Sequence, residues 1–312
     1  MHNHLTWSNP RTSLWGFHVH QELPQEDFVK SLAIQNQCAA FLSSHNIPID
    51  ADDAIAPGYG PHLDYMWELR VESAATNVLE KLGLAISYMA VNRFGLSAYI
   101  HPLMHDTSLS DEEALAAEGR LNQHNALWFS RRVPQAQEFF FNPPKDEQQK
   151  IIDTRTSRIM SAQKRTELLD AANTSLPKQC FREPKKVILR GFHIHMDYTL
   201  EQESLALAIF DQFLLYLIGE NLRPTSTRLY APRENGPHIQ GGWEVKFETR
   251  ESSILSRIGI AIAWLMCNRH NMSVFMHPVT WEEGDRPEEL RAHKEYAFFL
   301  GHLPELDLTF FE

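Results

Sequence analysis

Read for hydrophobic period, the chain divides into short alternating runs and longer helical ones. Leu14–His20 alternates, with Leu14, Gly16, His18 and His20 on one face and Trp15, Phe17 and Val19 on the other, the period of a β-strand. Gln25–His45 places Phe28, Leu32, Ile34, Cys38, Phe41 and Leu42 at helical spacing. Asn46–Asp53 is a polar turn, Ala54–Ala56 a short strand, and Pro57-Gly58-Tyr59-Gly60-Pro61 is turn chemistry. His62–Glu72 alternates again: Leu63, Tyr65, Trp67, Leu69 and Val71 face one way, His62, Asp64, Met66, Glu68, Arg70 and Glu72 the other. Thr76–Arg93, rich in Leu, Ile, Ala and Met, reads as a second helix. Leu96–His101 is a last strand, with Ser97, Tyr99 and His101 on its polar face. The order is βαββαβ, a ferredoxin-like unit whose helices cover the apolar face of one antiparallel sheet.

The pattern then recurs. Gly16-Phe17-His18-Val19-His20 returns as Gly191-Phe192-His193-Ile194-His195, and Gly60-Pro61-His62 as Gly236-Pro237-His238. Trp67-Glu68, Asn92-Arg93 and His101-Pro102 return as Trp243-Glu244, Asn268-Arg269 and His277-Pro278, all 176 positions on. A later histidine, His124 and then His293, keeps a spacing of 169. The expected architecture is α+β: two tandem ferredoxin-like units in a pseudo-dimer, packed sheet to sheet or joined edge to edge into a barrel-like arrangement. Residues 1–142 form the first unit, 143–184 a helical linker (Asp146–Ala172 carries helical spacing), and 185–312 the second.

Composition narrows the functional classes. With 43% hydrophobic and 22% charged residues the chain is of ordinary globular type, and it has no apolar run of about 18 residues to cross a membrane. Its net charge of −11 disfavours a nucleic-acid partner. Met1-His2-Asn3-His4 lacks the basic and apolar regions of a signal peptide, and three scattered cysteines fit a reducing compartment, so a cytoplasmic location is expected. Phosphate-loop, dinucleotide and Gly-x-Ser-x-Gly motifs are missing. Sixteen histidines are the unusual count, and many of them fall in the repeated motifs.

Two imidazoles at i and i+2 on a strand lie roughly 6–7 Å apart, within reach of one metal ion. In the ferredoxin-like order the first strand is central, with His62 and Glu68 on one neighbour and His101 on the other. Six residues of regular strand span roughly 20 Å, so at most one of His62 and Glu68 can be a ligand. Plainer readings exist for single residues. A His-Pro at a strand end is a common hydrogen-bonded terminus, Glu68 can simply pair with Arg70, and Arg70 and Lys246 read as solvated charges.

Taken together, the His-x-His strand, the Gly-Pro-His before a Glu-bearing strand, the His-Pro strand end and the later histidine resemble the DOPA 4,5-dioxygenase family of fungi and bacteria. The resemblance covers about Leu14–Ser130 and Val187–Gly301. It implies a ferredoxin-like fold and extradiol cleavage of a catechol (DOPA-like) ring by non-haem Fe(II) and O₂. Members of that family are single units, and their later motif reads Asp-His-Thr where this chain has Gln123-His124-Asn125 and Ala292-His293-Lys294. The ligands are then expected among His18, His20, His62 and Glu68, and among His193, His195, His238 and Glu244. His101, His124, His277 and His293 would carry acid–base chemistry. Zinc or another divalent metal, as in a zinc hydrolase, stays open beside iron. So do an iron oxygenase with a non-catechol substrate, a non-catalytic binding protein, and further homo-oligomerisation.

Overall fold

A computed structural model describes residues 12–57, 62–72, 77–93, 95–106, 125–130, 158–175, 187–248, 253–282 and 289–311. The first half runs β1 (Thr12–Leu23), α1 (Gln25–Ser44), β2 (Ala51–Ile55), β3 (Tyr65–Val71), α2 (Val78–Asn92), β4 (Ala98–Asp106) and β5 (Leu127–Phe129). Helix α3 (Ala162–Ser175) follows. The second half repeats the order as β6 (Val187–Tyr198), α4 (Glu203–Gly219), β7 (Ser226–Tyr230), β8 (Gly241–Glu248), α5 (Ser253–Asn268), β9 (Val274–Glu282), α6 (Glu289–Lys294) and β10 (Phe298–Leu300). No helix among the described residues is long and apolar enough to cross a membrane.

All ten strands form one antiparallel sheet, ordered β2-β3-β1-β4-β5-β10-β9-β6-β8-β7. The halves meet edge to edge through β5 and β10, two three-residue strands too short to show a period in the sequence. The outer strands β2 and β7 do not pair with each other among the described residues, so the sheet stays open where a barrel-like closure was expected.

The glycine of the repeated Gly-Phe-His motif has a packing reason. A bulge falls between Leu14 and Gly16, and another between Leu189 and Gly191. A Cβ at Gly16 would lie 2.5 Å from the Val71 carbonyl oxygen, and one at Gly191 1.7 Å from that of Phe247. The bulge also breaks the alternation, and Trp15, expected on the buried face, is 39% exposed. The Asn-Arg repeats close helices. Asn92 and Asn268 donate to the Tyr88 and Trp264 carbonyls (2.9 and 2.8 Å), and Arg269 donates to the Met272 carbonyl. Arg93 reaches further, bonding the carbonyls of Glu295 and Ala297 in the other half.

A single apolar core runs under both halves, because α2 packs on α5. Gly259 sits at that contact: a Cβ there would stand 1.9 Å from the Leu79 carbonyl oxygen and 2.5 Å from the backbone nitrogen of Gly83, its own counterpart. Gly259→Ala therefore forces the helices apart and should cost about 1–3 kcal/mol in urea unfolding. Gly219→Ala, which meets nothing within 4 Å, should be neutral or stabilising.

Candidate metal centres

Register brings the polar residues together. On β1, His18 stands opposite Arg70 of β3 and His101 of β4, and His20 opposite Glu68 and Tyr99. On β6, His193 stands opposite Lys246 and His277, and His195 opposite Glu244 and Phe275. Ligand atoms of His18, His20 and His101 all lie within 4.8 Å of one another, as do those of His193, His195 and His277. A carboxylate oxygen joins each trio. Glu68 Oε2 is 3.8 and 3.7 Å from His18 Nδ1 and His20 Nδ1, and Glu244 Oε1 is 3.8 and 3.6 Å from His193 Nδ1 and His195 Nε2. His195 Nε2 and His277 Nε2 are 3.3 Å apart.

These spacings suit a metal. Bonds of about 2.1 Å to a tetrahedral ion set neighbouring donors roughly 3.4 Å apart. Burial first, then the neighbouring imidazoles, holds His101, His195 and His277 well below the ordinary histidine value, so they are neutral donors at pH 7. His195 Nδ1 and His238 Nε2 are buried with no hydrogen-bond partner among the described residues. The outer carboxylates complete the arrangement: Glu72 and Glu248 bond the Nε2 atoms of His18 and His193 at 3.0 and 2.7 Å, turning Nδ1 inward. Cations hold the other oxygens of the inner carboxylates, Arg70 on Glu68 at 3.1 Å and Lys246 on Glu244 at 3.4 Å.

His62 and His238 occupy a second position beside each trio. Sequence spacing put His62 on the third strand, but β3 begins only at Tyr65, because Glu22 bends the chain around itself. Its carboxylate accepts the backbone N–H groups of Leu63 and Asp64 (2.7 and 3.2 Å) and lies 3.0 Å from His62 Nδ1. In the second half Asp197 holds the histidine in the same way, with its oxygens 2.9 and 3.0 Å from His238 Nδ1, and takes the Tyr230 hydroxyl as a donor at 2.6 Å. The His238 ring stacks 4.3 Å from that of His195, and the His62 ring 5.9 Å from that of His20. His293, from α6, closes the second site with its ring 3.9 Å from that of His277, and its ligand atom groups with those of His195 and His238. His124 lies outside the described residues.

The structure thus gathers every sequence-expected residue it describes, but distributes them differently. His101 and His277 share a donor cluster with the strand pairs, His62 stands beside the first on a carboxylate, and His238, also on a carboxylate, groups with His195 and His293. None of Glu22, Glu72, Glu248, Asp197 and Tyr230 was given a site role from the sequence, although Glu72 reads on the polar face of its strand and Asp197 on the face of His193 and His195. A signal for four of them was present: Glu22 and Asp197 continue the alternation two residues past His20 and His195, and Glu72 and Glu248 lie four past Glu68 and Glu244. Tyr230 had none, since its register counterpart in the first half is Ile55. The sites also differ at Tyr99, which stacks on His20 at 4.6 Å and brings its hydroxyl to 3.2 Å from His62 Nδ1, whereas Phe275 stands in the second half.

The Dopa 4,5-dioxygenase family matches residues 192–310, which include all these second-half donors. The uncharacterized 21.2 kDa protein of Botryotinia fuckeliana is 30% identical over 131 residues, spanning 41% of this chain and 68% of that protein. A crystal structure from Nostoc punctiforme, named as a candidate dioxygenase, is similar at 23% identity over 39% of this chain and 91% of its own, with a TM-score of 0.28 that carries no argument about fold.

The neutral buried imidazoles have a consequence for stability without metal. Their folded-state values lie below the unfolded one, so the unfolded chain takes up more protons as pH falls through about 6.5. Stability of the metal-free protein should be complete above that pH. Below it, each such histidine should remove about 1.4 kcal/mol per pH unit, read as a falling urea midpoint, until its own low folded-state value is reached. His277→Asn should flatten the slope.

Proposed function

The chain belongs to the Dopa 4,5-dioxygenase family, and from that premise we propose that it is a non-haem Fe(II) dioxygenase cleaving a catechol-like ring, of DOPA type, in the extradiol manner. What carries the reading is one observation: three imidazoles and a carboxylate at metal-bridging distances, present in each half. The repeated spacing and paired registers support reading residues 1–142 and 185–312 as two copies of the family unit. His18, His20, His101 and Glu68 would hold one metal, and His193, His195, His277 and Glu244 the other.

When bound, iron supplies the redox chemistry that joins dioxygen to an aromatic diol; the rest falls to the residues. Asp197 fixes the His238 ring with Nδ1–H as donor, which leaves Nε2 as the base for a catechol hydroxyl proton. Glu22 plays that part for His62. Both rings are buried, as are the second-half donors, while His18 and His101 of the first half are partly exposed. Phe275 and His293 give the second site an apolar and aromatic wall, against which a planar ring can stack.

Anaerobic loading with Fe(II), followed by DOPA or simpler catechols in air, should give O₂ uptake with a yellow ring-opened product and two irons per chain. His20→Ala and His195→Ala should each remove about half the iron. Zinc as the only metal in a fully active protein, or no metal in either half, would overturn the assignment. In a His20→Ala background, Asp197→Asn should keep the remaining iron yet lower kcat by about 10²-fold or more and shift the acidic limb of the pH–rate profile. An unchanged profile would remove His238 from the proton path.

A further inference from the structure

The two halves differ in what covers their outer edge. In the first, residues 158–160 run along β2: Ile159 bridges Ile55, the Ala56 N–H donates to the Arg158 carbonyl at 3.0 Å, and the Met160 N–H donates to that of Ala54 at 2.7 Å. Helix α3 then lies against α1, with Arg165 donating to Asp52 of β2 at 3.2 Å and to Asn36 of α1 at 2.6 Å. Strand edge and helix face are closed together.

The same surface recurs 175 positions on. Buried Ser31, Ile34, Gln35, Cys38 and Leu42 of α1 correspond to buried Ala206, Ile209, Phe210, Phe213 and Leu217 of α4. Both helices end alike, with Asn46 and Asn221 at φ 56° and 52°, and with Ile47 and Leu222 donating back to the Leu42 and Leu217 carbonyls. In this correspondence Asn36 becomes Asp211 and Asp52 becomes Thr227, but among the described residues no strand pairs with the outer side of β7.

The side chains there run opposite to what solvent favours. Lys30, Ala40 and Ser43 of α1 are replaced on α4 by Leu205, Leu215 and Ile218, which are 42, 70 and 66% exposed. Leu229 of β7 is 53% exposed. It lies on the α4 side of the sheet, because its register partner Trp243 donates to the Ala206 carbonyl and packs on Phe210. The first half carries small or polar groups at these helix positions, and the second carries large apolar ones beside a strand edge that has no partner among the described residues. Exposed apolar side chains of this size mark a protein interface, and such an edge invites another strand.

We infer that α4 and β7 form a self-association surface, on which a second copy of this chain docks about a two-fold axis. An antiparallel strand edge is self-complementary under a two-fold, so β7 can pair with β7 while α4 meets α4. The chain already joins its own halves this way, with β5 against β10 and α2 on α5. The net charge of −11 on each copy opposes association at long range, and salt screens it. The dimer therefore tightens as ionic strength rises.

Sedimentation equilibrium of the metal-free full chain tests this without any activity assay. At tens of micromolar the wild type should show twice the chain mass of 36.0 kDa, more completely in high salt than in low. Leu215→Glu with Ile218→Glu should weaken association by about 100-fold or more while leaving the far-ultraviolet circular dichroism unchanged, because both positions are exposed in the single chain. Leu303→Glu, exposed elsewhere, should leave the dimer intact. A wild type that stays at the single-chain mass in low and high salt would overturn the inference, as would a dimer that survives the double substitution.

Discussion

The central strand of each half is paired on both sides, and the register of those pairings decides which side chains meet. With β1 between β3 and β4, and β6 between β8 and β9, the His-x-His pair finds a carboxylate on one flank and an imidazole on the other. A slip of one residue would turn every donor into the apolar core. The bulges at Gly16 and Gly191 hold the register, since the neighbouring strand passes too close there for any other residue. The repeated glycine and the repeated histidines are thus two parts of one device.

Gathering so many titratable groups out of water is unfavourable unless each is partnered. The sheet meets that demand in layers. Nitrogens that face outward bond carboxylates (Glu72, Glu248, Glu22, Asp197), and carboxylate oxygens that face outward bond Arg70 or Lys246. What is left points inward: imidazole nitrogens and one carboxylate oxygen per half, at distances a cation would satisfy. For His18, His193, His62 and His238 this layering fixes which nitrogen faces the centre, as outer carboxylates do in metal sites generally.

Much of this was legible in the chain. Alternation identified the polar face, and the doubled motifs separated residues that serve a site from residues that merely pack. Two features hid from that reading. Strands β5 and β10, which join the halves, are three residues long and have no period to display. His62 was placed on a regular strand because its neighbours alternate, yet the carboxylate of Glu22 captures two backbone N–H groups and ends β3 short of it. Alternation describes a strand's interior; it is silent on a tertiary hydrogen bond that terminates one.

The two halves also supply their own comparison. Across the apolar face Phe17 and Trp67 have identical counterparts in Phe192 and Trp243, but the others vary within hydrophobic limits: Val19 with Ile194, Leu69 with Val245, Val71 with Phe247, Ile100 with Met276. Such exchanges keep a core filled without keeping any particular shape. On the opposite face of the same strands, His18, His20, Glu68, His101 and Glu72 have identical counterparts, while Arg70 becomes Lys246 and Tyr99 becomes Phe275. Folding alone would have allowed the polar face to drift at least as far as the core. Identity is kept at the atoms that converge on one point and at Glu72 and Glu248 behind them, while the carboxylate behind the neighbouring histidine changes from Glu22 to Asp197. That is the pattern expected when a shared ligand, not the sheet, sets the constraint. The relaxed positions are then where the two sites are free to differ in what they accept.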